Sequence, residues 1–307
     1  MTALMDQDVL QCSFPTGIAD MKEATYNDGC GMSEFADKIV LVTGSSSGLG
    51  KGMARLLCHQ GAKVVINGRH PQRMQDTLHH FRKAGYEPEG IIADVSDPDD
   101  SKKMIEKCIE VFGRLDILIN NAGIGCAGLF EETSTECFQQ IIQTNLLGSL
   151  FPTRFAIPHI KESHGSILFI SSLAGLFGLP YISVYSPSKM ALTAVAQMLR
   201  LELDPASVHI GIAYVGFLIN DPEKKVLGPD GQWLPPGDRP RQFSQSIEKA
   251  SAIIIKALKK RKKTIYLSPY GKLIQVLTRV FPGVYRWFLV RHRNRIRTTY
   301  VSKNKQV

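Results

Sequence analysis

The sequence predicts a single doubly wound α/β domain: one parallel sheet of seven strands with helices on both faces. Three observations carry this expectation. Seven short, β-branched apolar runs recur between residues 38 and 267, longer segments of helical period alternate with them, and each run is apolar nearly throughout. Alternation of the two kinds of segment builds βαβ units. A strand without polar alternation is buried on both faces, as in a parallel sheet covered by helices. With 307 residues, 44% of them apolar, the chain is long enough to close such a core.

The elements follow in order. Residues 1–35 mix Gly, Asp, Cys and Thr without periodicity and read as a flexible extension. The domain proper is expected over 36–268, with strands at 38–43, 63–67, 90–93, 117–120, 166–171, 209–215 and 264–267. Helices are expected at 48–60, 71–84, 98–112, 135–161, 186–204 and 245–260. The interval 216–244 is too long and too rich in Pro, Gly and charge for an ordinary connection, and reads as a lid over a ligand or, alternatively, as a disordered insertion. Residues 269–307 form a basic tail.

Composition narrows the function. The six cysteines (Cys12, Cys30, Cys58, Cys108, Cys126 and Cys137) contain no CxxC pair and no regular spacing, so neither a metal site nor a disulfide framework is expected. The first residues lack a basic segment followed by an apolar one, and no window is long and apolar enough to span a bilayer. The expectation is a cytoplasmic protein. The net charge of +9 is confined to one end: from residue 256 onward there are fifteen Lys or Arg and no Asp or Glu, so the preceding part sums to −6.

The first strand runs into Thr43-Gly44-Ser45-Ser46-Ser47-Gly48-Leu49-Gly50, a TGxxxGxG turn opening a helix. Glycines here allow a tight turn and let backbone N–H groups approach a pyrophosphate at the helix N-terminus. Gly44, Ser46, Ser47, Gly48 and Leu49 are the expected contacts. The same residues spell GxSxG, the elbow of serine hydrolases. That reading fails because the elbow would sit on the first strand, with no earlier strands to build an oxyanion hole, and because His159, His164 and His209 lie in no distinctive loop after an acid. At the end of the second strand, Asn67-Gly68-Arg69 offers no carboxylate for a ribose 2′-OH. Gly68 leaves space and Arg69 matches a phosphate, so NADP(H) is favoured over NAD(H).

Ser172 follows the fifth strand, and Tyr185-Ser186-Pro187-Ser188-Lys189 opens the next helix. A spacing of four sets phenol and ammonium on one helix face. Chance alone gives about 0.6 such YxxxK spacings in this chain. Position supplies the weight, because the pair follows a nucleotide-binding half at the sheet edge where ligands bind. Reduction of a ketone needs a proton at oxygen, which a phenol of ordinary pKa about 10 supplies poorly. An adjacent ammonium stabilises the phenolate, and Ser172 would hold the carbonyl oxygen.

Together these residues resemble the short-chain dehydrogenase/reductase family over roughly 36–267: TGxxxGxG, Asp94 after the third strand, Asn120-Asn121-Ala122-Gly123 after the fourth, Asn145, Ser172, Tyr185 and Lys189. The resemblance implies a Rossmann fold in which Asp94 binds the adenine amino group, with the Val95 backbone nearby. It also implies that Asn121, Ala122 and Gly123 pass under the cofactor. Asn145 is similar to the family's helix-distorting residue and completes a tetrad with Ser172, Tyr185 and Lys189. Lys189 would also reach the nicotinamide ribose. One departure stands after the sixth strand. The family's Pro-Gly and following Thr are replaced by Val215-Gly216 and Asn220, whose amide can both donate and accept. The resemblance further implies a homodimer or homotetramer through helices 135–161 and 186–204.

The tail interleaves Leu, Ile, Val, Phe and Trp with Arg and Lys, and breaks at Pro282-Gly283. Two basic amphipathic helices are expected, either lying on a membrane surface or packed on the protein or a dimer mate. Nucleic acid is not expected as a partner. The C-terminal part loosely resembles lipid-handling members such as 3-ketosphinganine reductases, which points to a lipophilic carbonyl or alcohol. Residues Ile124, Cys126, Leu173, Leu179, Tyr181, Phe217 and Leu218 are candidates for its pocket, and each equally fits ordinary core. The main expectation is an NADPH-dependent carbonyl reductase. The alternatives are a non-catalytic dinucleotide-binding sensor or scaffold, and a peripheral membrane-binding module.

Overall fold

The computed structural model describes residues 34–219, 224–236 and 244–300. The predicted extension therefore lies outside the described residues except for Glu34 and Phe35. Phe35 is 4% exposed and packs in the core, so the folded domain begins before residue 36.

Seven strands form the main sheet: β1 (Ile39–Val42), β2 (Lys63–Gly68), β3 (Glu89–Ile92), β4 (Ile117–Asn120), β5 (Ser166–Ser172), β6 (His209–Val215) and β7 (Thr264–Tyr266). All pairs are parallel, in the order β3-β2-β1-β4-β5-β6-β7. The order reverses between β1 and β4, and in open sheets of this kind ligands bind beyond the carboxyl ends of the strands at such a switch.

Helices α1 (Gly48–His59), α2 (Pro71–Lys83), α3 (Pro98–Phe112), α4 (Thr135–Ile142), α5 (Gly148–Glu162), α6 (Tyr185–Glu202) and α7 (Ile247–Lys259) flank the sheet. Strand residues alternate between two cores. Val40 and Val42 of β1 pack with Met53 and Leu57 of α1, Met74 of α2 and Ile254 of α7. Ile39 and Leu41 face the other way, toward Met104 of α3, Ala156 of α5 and Leu192 of α6. Burial on both faces was expected for every strand. At the edge strand β3 it fails, and Ile92 is 53% exposed.

Two further departures bear on the site. The predicted helix over 135–161 is interrupted at Gln143–Leu147, where the turn widens to a π-helix before α5 resumes. The 216–244 interval holds short strands as well as loop. Phe217–Ile219 pairs with Ser244–Ser246, and Val226–Leu227 pairs with both Gly125–Cys126 and Trp233–Leu234. The tail forms three helices among the described residues, α8 (Pro269–Val280), α9 (Pro282–Arg291) and α10 (Arg293–Tyr300), with the expected break at Pro282.

His209 opens β6 at the sheet end remote from the crevice and is buried. Burial, followed by the charges of Arg261 and Arg200, pushes its imidazole down to about 4. An unfolded chain takes up that proton near pH 6.5, so the stability held by the neutral ring is complete above pH 6.5 and lost as pH falls toward 4. The full effect is about 3 kcal/mol. His209→Leu should flatten the acid limb of a urea-unfolding series between pH 6.5 and 4, with little change in its slope above pH 7.

Candidate active site

The nucleotide side begins with the loop joining β1 to α1. Gly44 has φ +59, and a Cβ there would lie 2.8 Å from the Ala122 Cα. At Gly50 a Cβ would come within 2.5 Å of both Asn121 Nδ2 and Gly44 O, so helix and loop approach only without a side chain. Three side chains hold the loop from outside it. Asn67 Oδ1 accepts from Gly44 N–H at 3.2 Å, and Thr77 Oγ1 donates to Ser46 O at 2.8 Å. Asn121 Nδ2 donates to Thr43 O and Gly44 O at 2.9 and 3.0 Å.

Neither Asn67 nor Thr77 was singled out from the sequence as a site residue. A polar residue ending an otherwise apolar strand was the available signal for Asn67. The Asn121 side chain ties the end of β4 to the phosphate loop, while its N–H and that of Ala122 donate to Thr43 Oγ1 at 3.0 and 3.1 Å.

Ser47 is the N-cap of α1 and, among the described residues, makes no side-chain capping bond, and the first turn carries no acid. The first-turn amides are thus available to a negative group. With the glycine positions, these residues fit a dinucleotide pyrophosphate.

At the adenosine corner, the space left at Gly68 is taken by Ser46 Oγ, 2.7 Å from where a Cβ would stand. Arg69 Nη1 lies 3.7 Å from Asp94 Oδ2, both side chains about one third exposed. The other Asp94 oxygen accepts from Ser96 N–H and Oγ at 2.9 and 2.6 Å. Burial alone would raise the Asp94 carboxyl, but the Ser96 bonds and the Arg69 charge outweigh it and hold it below its ordinary value. Val95 is buried against Gly148.

The tetrad residues come from three places in the fold: the π-turn, the end of β5 and the first turns of α6. Asn145 sits in the π-turn, fully buried, where its Oδ1 accepts from Ile124 N–H at 2.8 Å. Its Nδ2 donates to Ile124 O at 3.0 Å and to Ser188 Oγ at 3.1 Å. Ser188 in turn donates to Tyr185 O at 2.8 Å. Lys189 is 5% exposed, and its Nζ donates to Ile170 O of β5 at 3.1 Å. Ser171 Oγ donates to Lys189 O at 3.0 Å, fastening α6 to β5.

A Cβ at Gly123 would stand 3.1 Å from both Asn145 Oδ1 and Lys189 Nζ, which sets these two groups on the same flank of the Asn121–Gly123 segment. Ser172 ends β5, with its Oγ accepting from Ala174 N–H at 3.2 Å. Half-buried Tyr185 opens α6 against a small cluster containing Cys126, Cys137, Ile141 and Leu227.

Of the expected substrate contacts, Cys126 is core, 3% exposed with its sulfur 4.0 Å from that of Cys137. Ile124, Leu173, Leu179, Tyr181, Phe217 and Leu218 keep partial exposure. Gly216 lies against Leu173, and Asn220 falls outside the described residues. Two surface cavities of about 490 and 240 Å³ lie elsewhere, one beside β3 and α3 and one at the amino-terminal ends of β1, β4 and β5 near Asp116.

Comparison with known proteins gives a consistent picture. Residues 38–226 match the short chain dehydrogenase family. The chain is 38% identical over 195 residues to 11-beta-hydroxysteroid dehydrogenase-like 4A of Arabidopsis thaliana, covering 62% of this chain and 65% of that protein. It is 38% identical over 183 residues to an uncharacterized oxidoreductase of Thermotoga maritima, covering 59% and 72%. The match thus spans less than two thirds of the length of the plant relatives. A solved short chain dehydrogenase/reductase from Burkholderia phymatum, in complex with NAD, superposes with a TM-score of 0.71 at 22% identity, over 82% of this chain and 96% of that one. At that identity the likeness is one of fold.

Burial, and then the charge of Lys224, bring Lys189 down to about 8. The unfolded lysine titrates near 10.5, so the folded state bears a cost of about 3 kcal/mol below pH 8 that is relieved as pH rises toward 10.5. Lys189→Met should therefore melt no lower than the parent at pH 7. It should also abolish the parent's gain in stability between pH 8 and 10.5, as read by thermal unfolding across that range.

Proposed function

The chain belongs to the short-chain dehydrogenase family, and on that premise we propose that it reduces a lipophilic ketone to a secondary alcohol, or runs the reverse, with NADP(H) preferred. The observation that carries this reading is the buried ammonium of Lys189 one helical turn beyond Tyr185, on a helix fastened to the strand that ends in Ser172. A bound nicotinamide supplies or accepts the hydride. The residues of the chain manage the proton and the charge. Tyr185 donates its phenolic proton to the substrate oxygen, and Ser172 donates a hydrogen bond to the same oxygen as charge builds there. Lys189, still charged below pH 8, stabilises the phenolate left behind.

The preference for NADP(H) is supported by the corner at Ser46, Gly68 and Arg69, where no carboxylate ends β2. The Arg69 and Asp94 side chains are each about one third exposed and 3.7 Å apart, so solvent screens a pair worth about 1 kcal/mol at most, and a 2′-phosphate can take over the guanidinium. A lipophilic substrate is supported by the apolar residues around the cleft and by the name of the Arabidopsis relative, a hydroxysteroid dehydrogenase-like protein. Peripheral contact with a membrane through the tail suits such a substrate, and association as a dimer or tetramer belongs to the same reading.

The test is a screen of ketones graded by chain length, followed by consumption of NADPH and NADH side by side. Tyr185→Phe should bind nucleotide as the parent does and lose turnover by about a hundredfold or more. Equal turnover in the two proteins removes the assigned role. Arg69→Ala should raise KM for NADPH about tenfold and leave KM for NADH within about twofold, measured with one ketone at saturation.

A further inference from the structure

Away from the cleft, the tail presents a broad apolar face. Leu273, Val276 and Val280 lie along one stripe of α8, and Val284, Trp287 and Phe288 along one stripe of α9, each between 47% and 65% exposed. Over 269–300 the sequence has seven Lys or Arg and no Asp or Glu. The inner side of the same helices is anchored to the protein. Tyr266 hydrogen-bonds Gln275, Gly271 lies against Leu173, and the Tyr285 ring meets Phe177 edge-on with centroids 4.8 Å apart. The outward direction of the apolar face is therefore set by packing.

We propose that α8 and α9 form a docking surface for an anionic phospholipid bilayer. Exposed apolar stripes with cations beside them match an interface where acyl chains begin beneath negatively charged headgroups. No described helix is long and apolar enough to cross a membrane, so the helices lie in the interface plane. A second copy of this chain is the poorer occupant, because a two-fold contact would set one basic face against its equal. Leu173 and Phe177, on which the tail rests, belong to the loop that follows Ser172. Docking thus brings that loop close to the lipid surface. Delivery of substrate from the bilayer rests on the reductase reading; the docking itself does not.

The experiment uses the full chain, sedimented with phosphatidylcholine vesicles alone or with phosphatidylserine added, with nucleotide binding measured in parallel. The bound fraction should be about tenfold higher on the anionic vesicles and fall to the neutral level at high salt. With Trp233→Phe leaving Trp287 as the single tryptophan, its emission should shift to the blue on binding. The pair Val280→Asp and Trp287→Asp should lose vesicle binding while nucleotide binding stays within about twofold. Equal recovery in the supernatant with both vesicles overturns the proposal, as does undiminished binding by the double variant. Loss of a dimer in that variant, without any vesicle binding by the parent, assigns the face to a second copy instead. A protein that binds vesicles but no nucleotide overturns the reductase reading alone.

Discussion

A lysine ammonium held inside the fold is the constraint around which this end of the domain is organised. Its burial is unfavourable by itself, which is why the Lys189 amine titrates well below its ordinary value. Several features of the backbone exist to keep it there. The Ile170 carbonyl accepts from it, the Ser171 hydroxyl fastens its own carbonyl, and Gly175 lets the chain after Ser172 pass where a Cβ would stand 2.7 Å from Lys189 O. The π-turn belongs to the same arrangement. By widening the helix at Gln143–Leu147, it presents Asn145 sideways to Ile124 and Ser188.

The nucleotide side follows a complementary logic. Around the phosphate loop, side-chain amides and hydroxyls from β2, α2 and the end of β4 are bonded to loop backbone groups. Supporting the loop from behind leaves the α1 terminus directed outward, where its own dipole favours an anion. Thr43 and Asn121 link this loop to the segment that carries Gly123, and Gly123 stands beside Lys189 and Asn145. The two halves of the crevice are thus joined through contacts on either side of the switch between β1 and β4.

Much of this was legible in the sequence because burial writes itself into composition. All seven main strands lie within a residue or two of the apolar runs, and the crevice follows from their order. Edge position did not show, since Ile92 looks like its buried neighbours until the partner strands are known. Asn67 and Thr77 were missed as site residues because their bonds to Gly44 and Ser46 span 23 and 31 residues. The π-turn lay hidden within unbroken helical periodicity, and only the family resemblance pointed to Asn145. Two-residue strands such as Val226–Leu227 draw their pairing from Gly125–Cys126, about a hundred residues away, which no local pattern records. The third tail helix has too few apolar residues to show a period.

The tail shows how local amphipathicity acquires meaning only from its anchor. Periodicity alone says that α8 has an apolar stripe, and equally allows that stripe to face the protein or to face away. The contacts at Leu173 and Phe177 decide between these, because they occupy the inner side and leave Leu273, Val276 and Val280 exposed. They also couple the tail to the chain between Ser172 and Tyr185. Whatever covers the outer stripe therefore rests on helices that pack directly against that loop.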